Sequence, residues 1–166
     1  MTGTDALTAI AQVSATLAGF SGIIVAVRQR GLAAWEAHHL YMFRLMLLVS
    51  LVTVFFSLIP FAPYHLGMPE AATWRVCNAL LGAWLIVQLT IQMSVRAGIR
   101  QRLNIIYYLF IRLGNVFFIC LAFASAFNLL GMRSVGIYLV SVGWLLIVSA
   151  LLFFRLVLSP GDPSTK

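Results

Sequence analysis

The chain contains only four carboxylates, Asp5, Glu36, Glu70 and Asp162, and each lies outside five long apolar stretches. Those stretches cover residues 6–27, 40–59, 72–95, 105–130 and 135–158. A helix of about 20 mostly apolar residues crosses a hydrocarbon core of about 30 Å, so each stretch is long enough to span a membrane. Barrel strands are excluded, because the runs lack alternation and are about twice the length such strands need. Only 9% of the residues are charged, against about a quarter in soluble domains. The links are short, and nothing is left over for a second domain. The sequence therefore predicts an all-α integral membrane protein, a polytopic bundle of five transmembrane helices in one domain over residues 1–166.

The first stretch is the least hydrophobic and is rich in Ala, Gly, Ser and Thr. Its head, Met1 to Asp5, carries an acid and no Lys or Arg, unlike a secretory signal, so it reads as a retained helix. Four spans remain if it lies on the surface or is re-entrant. Basic residues set the orientation: Arg28, Arg30, Arg96, Arg100, Arg102, Arg155 and Lys166 fall on one side, and only Arg75 and Arg133 on the other. The bias places the C-terminus in the cytoplasm and the N-terminus outside, in a cytoplasmic (inner) membrane. Trp35, Tyr41, Tyr64, Trp74, Tyr107 and Tyr138 sit near the ends of the stretches and read as interface anchors.

Small residues organise the first helix. Ser14, Ala18, Gly22 and Ala26 recur every four residues, and Ala11, Ala15 and Gly19 form a second row beside them. Such rows let helix backbones approach closely, which matters in lipid, where no hydrophobic drive separates helix from tail. They predict a face for packing within the bundle or about an oligomer axis.

The second and fourth stretches open alike, with Phe43-Arg44-Leu45 and Ile111-Arg112-Leu113, and the third and fifth share Ala83-Trp84-Leu85 and Gly143-Trp144-Leu145. Two similar helical hairpins after the first helix are the expectation, with Arg44 and Arg112 in equivalent places. A guanidinium at depth faces a bundle interior, a water cavity or a partner, or snorkels to headgroup phosphates. Arg112 lies about 10 Å into its helix at about 1.5 Å per residue, on a face shared with Tyr108 and Asn115. Asn78, Gln88 and Gln92 mark one face of the third helix, and Ser50, Thr53 and Ser57 one face of the second. These polar groups either line an aqueous path or tie helices together.

Glu36 and His39 have the ExxH spacing, with His38 adjacent, but a di-iron site needs more carboxylates and a second such motif. A haem held by two histidines would need His65, from the opposite side of the membrane. Cys77 and Cys120 lie in separate apolar runs without metal-ligand spacing. No metal or cofactor is expected. With no carboxylate in the spans, coupled cation transport is disfavoured, and no potassium-filter, nucleotide-binding or hydrolase motif occurs. The net charge of +7 points to anionic lipid headgroups or permeating anions rather than nucleic acid. The leading expectation is a homo-oligomeric pore or channel, anion- rather than cation-selective and not an enzyme, with Arg112, Arg44, Asn115, Tyr108, Gln88 and Gln92 at the pore or phosphate site. The alternatives are a non-catalytic accessory or scaffold subunit of a larger membrane complex, and a lipid-modifying enzyme acting through Glu36 and His39.

Overall fold

The structure is a computed structural model that describes residues 3–27, 37–94, 105–129 and 134–158, without the side chains of 24–27, 37–39, 105–107 and 158. The described residues form helices α1 (Thr4–Val27), α2 (Ala37–Leu58), the short α3 (Phe61–His65), α4 (Glu70–Met93), α5 (Ile105–Ala126) and α6 (Ser134–Leu158). Five of them are long and apolar enough to cross a membrane, the second span running from α2 through α3. The protein is an all-α, multi-pass helical bundle, as the apolar stretches predict.

Local chemistry sets where the helices end. Pro60 has no backbone N–H, so it cannot close the helical bond to the carbonyl of Phe56, and α2 stops two residues earlier. The freed Phe56 carbonyl is taken by the Tyr138 hydroxyl of α6. The fourth apolar stretch runs to residue 130, yet α5 ends at Ala126. There Asn128 adopts a left-handed conformation, φ 55°, and the bonds Leu129 N–H to Ala124 O and Asn128 N–H to Ser125 O close the helix as a Schellman motif. At the other end of the chain, Gly3 has φ +85°, and a Cβ there would lie 3.2 Å from Leu139. Glycine is thus what lets α1 begin against α6.

Helix α6 is the centre of the bundle and packs against α1, α2, α4 and α5. Ile137, Tyr138, Val142, Leu145, Val148, Leu152 and Leu156 are buried along its whole length, and a helix apolar on every side suits that position. On one side lie α1 and α2, which pack on each other; on the other lie α4 and α5. The outer faces are apolar: Leu51, Phe55 and Leu58 on α2, Val87 and Ile91 on α4, and Leu109, Leu113 and Phe117 on α5 are exposed. A surface of that kind fits lipid rather than water. Trp74 and Tyr138, which the sequence suggests as interface anchors, are instead fully buried, their ring centroids 5.5 Å apart. Tyr64 is exposed; Trp35 and the Tyr107 side chain lie outside the description.

Candidate functional site: an unpaired polar column and a crevice at its basic end

Helices α4 and α5 run antiparallel, and the Tyr108 hydroxyl donates to the Gln92 carbonyl at 2.8 Å, which sets their register. Both helices carry buried polar atoms with no hydrogen-bond partner. On α4 these are Thr73 Oγ1, Asn78 Oδ1, Trp84 Nε1, both amide atoms of Gln88, and Gln92 Oε1; on α5 they are Asn115 Nδ2 and Ser125 Oγ. Thr73 to Gln92 covers about 28 Å of helix at about 1.5 Å per residue, close to the thickness of a hydrocarbon core. In lipid no bulk water reaches such groups, and each unsatisfied one is costly.

The column is anchored at two points. Asn78 donates to the carbonyls of Trp74 at 2.8 Å and Ser134 at 3.1 Å, tying α4 to the start of α6. Asn115 accepts from Trp144 Nε1 of α6 at 2.9 Å. The Trp144 ring stacks on Phe118, with centroids 5.3 Å apart and planes 25° apart. It reaches α5 because Gly114 carries no side chain: a Cβ there would lie 2.0 Å from a Trp144 ring atom. The sequence marks Trp144 only through its place in the repeat and does not single out Gly114, although a glycine beside an asparagine in a Phe-rich run was the available signal.

The basic residues are unequal. Arg112 is half-buried, and its guanidinium carbon lies 5.2 Å from the centre of the Tyr108 ring, within range of a cation–π contact. Arg44 is exposed. On a helical wheel it points away from the buried face formed by Met42, Met46, Val49 and Thr53, so the two arginines do not converge. Arg44, Arg112 and Arg155 share one end of the bundle, while Asp5, Glu70 and Arg75 lie at the other.

At the basic end a small crevice, with an enclosed volume of about 30 Å³, is lined by Tyr41, Met42 and Leu45 of α2, Gln92 of α4, Tyr108 and Ile111 of α5, and Leu152 of α6. The register that aligns Trp84 with Trp144 also aligns Gln92 with Leu152, and these two residues line the crevice together. Of the proposed pore residues, Tyr108 and Gln92 therefore meet here, Gln88 and Asn115 continue inward, and Arg112 stacks on the wall.

The small-residue rows of α1 divide. Leu7, Ala11, Ser14 and Ser21 are buried and Ala18 is half-buried, whereas Ala15, Gly19 and Gly22 are exposed. Steps of four residues drift by about 40° per step, while alternating steps of three and four stay on one face. The inward stripe follows the second pattern, so the row through Ser14, Ala18 and Gly22 turns outward as it climbs. The side chain of Ala26 lies outside the description. Nothing stands within 4 Å of a Cβ built at Gly19 or Gly22.

The hydroxyls of α2 are all satisfied within the protein, and of the three Ser50 alone ties two helices. Ser50 bonds Ser149 of α6, and Thr53 and Ser57 bond their own helix at Val49 O and Thr53 O. Glu36 and the side chains of His38 and His39 lie outside the described residues. No protein-family model matches the chain, and no curated protein or solved structure is detectably similar to it.

Proposed function

We propose that the protein is a homo-oligomeric membrane pore, anion- rather than cation-selective, whose polar path follows the α4–α5 interior. The column of unpaired amides and hydroxyls carries this reading. Groups left without protein partners over the depth of a bilayer are satisfied when water or a polar permeant enters. Arg112 stands at one end of the column, and the described carboxylates, Asp5 and Glu70, stand at the other end of the bundle, an arrangement that favours anions at the basic mouth. Leu81 and Leu85 fill the interior between Asn78 and Gln88, so conduction requires α4 and α5 to part. The open row Ala15, Gly19 and Gly22 of α1 supplies the surface for a second copy.

The gathering of Arg44, Arg112 and Arg155 at one end supports placing that end, with the C-terminus, in the cytoplasm of a cell with an inner membrane. Membrane partners are then anionic headgroups of the inner leaflet. A second reading, a non-conducting accessory subunit of a membrane complex, is favoured by the close packing around Leu81 and Leu85.

Reconstituted liposomes decide between them. Wild-type protein is expected to pass chloride in preference to sodium, and Arg112→Ala to shift the reversal potential toward cations with the oligomer unchanged. Absence of flux, or an unchanged reversal potential in Arg112→Ala, would sink the pore.

A further inference from the structure

We infer that the crevice between α2 and α5 is the seat of one anionic phospholipid, with its phosphate on Arg112 and the start of an acyl chain inside the crevice. This goes beyond the pore reading and stands whether or not the protein conducts. The two helices that flank the crevice make at most slight contact with each other and are joined through α6, so the space between them is closed at the back by Leu152 and Gln92. Its enclosed part holds about 30 Å³, room for a few methylene groups at the start of an acyl chain and not for a whole ligand.

Three observations define the occupant. The walls are Met42, Leu45, Ile111 and Leu152 with two tyrosines, which suits hydrocarbon and is a poor lining for a hydrated ion. Gln92 is 4% exposed and its Oε1 has no partner, so the apolar pocket contains one unpaired acceptor, able to take a hydrogen bond from a headgroup hydroxyl. Arg112 lies against Tyr108, a wall residue, and both described carboxylates are at the far end of the bundle. A cation fixed beside an apolar slot, with no carboxylate near it among the described residues, matches an amphiphile with an anionic head. An inorganic anion would use the arginine and leave the slot empty.

The test is native mass spectrometry of the full chain released from nanodiscs of phosphatidylglycerol and phosphatidylcholine in equal parts. Wild-type protein is expected to retain one phosphatidylglycerol per chain. Arg112→Gln is expected to reduce the preference for the anionic lipid about tenfold, the scale of one charge-assisted hydrogen bond. Leu45→Trp, which fills the slot and leaves the arginine in place, is expected to lower retention of both lipids. Arg44→Gln, on the outward face of α2, serves as the control and is expected to change neither. The inference is overturned if Leu45→Trp retains lipid as wild type does, if Arg44→Gln weakens retention as much as Arg112→Gln, or if millimolar inorganic phosphate displaces the lipid.

Discussion

Along α2 and α6 every buried polar atom among the described residues has a partner, whereas along α4 and α5 eight such atoms have none. Both helix pairs pack closely, and aligning Arg44 with Arg112 and Trp84 with Trp144 in the sequence sets one pair against the other. For the glutamines the difference lies in side-chain length and valence, whereas Thr73 and Ser125 are hydroxyls that find no partner where they stand. A Ser or Thr hydroxyl reaches back to the carbonyl four residues earlier, as Thr53, Ser57 and Ser141 do, or bridges to one partner, as Ser50 does to Ser149. A glutamine amide has two donor hydrogens and an acceptor on a longer stem, and Gln88 finds partners for none of them. One pair is sealed by its polar groups; the other keeps them unspent.

Disturbing the join between the two sides gives the largest expected effect. In Gly114→Val, the new side chain meets the Trp144 ring, which must leave both its stack on Phe118 and its bond to Asn115. Overpacking of this kind costs about 3 kcal/mol, and thermal unfolding in detergent is expected to fall accordingly. A variant as stable as wild type would show that α5 and α6 are not joined through Trp144.

The comparison sharpens further with two substitutions of opposite sign. Tyr138→Phe leaves the Phe56 carbonyl, already freed by Pro60, without a donor, at a cost of about 1 to 2 kcal/mol. Gln88→Met keeps the volume and removes an amide that has no partners, so it is expected to gain about 1 kcal/mol. In the pore reading the same change also lowers flux. Chemical denaturation in mixed micelles measures both; two losses of similar size would erase the distinction between the helix pairs.

The fold was legible because lipid imposes one rule on every residue of a span: about 20 apolar positions and no carboxylate. Helix ends were less so, since the end of α5 depends on the backbone conformation of Asn128, which an apolar count does not register. Within the candidate site, the face shared by Tyr108, Arg112 and Asn115 and that of Gln88 and Gln92 could be read from helical spacing. Their convergence could not, because it depends on which helices neighbour one another. The same limit applies to Ser50 and to the rows of α1: spacing marks a polar or small face, and only packing shows whether a partner, a neighbouring helix or lipid meets it. Pro60 was the overlooked signal, because a proline ending an apolar run frees the carbonyl four residues before it.

The smallest expected effect bears most directly on what seals α2 to α6. Ser50→Ala and Ser149→Ala each remove one half of a single buried bond, so their combined loss should fall short of the sum of the two. The coupling expected is about 0.6 kcal/mol, typical of interhelical hydrogen bonds in membranes because the unfolded helices also find partners there. The bond's weight therefore lies less in its strength than in leaving no polar atom at that level to attract water. If the double variant is additive, the seal comes from close packing alone, and the contrast with α4 and α5 reduces to the glutamines. If the coupling is present and double-variant liposomes keep a wild-type anion flux, the pore reading holds its path to the side of α4 and α5, where the unpaired amides lie.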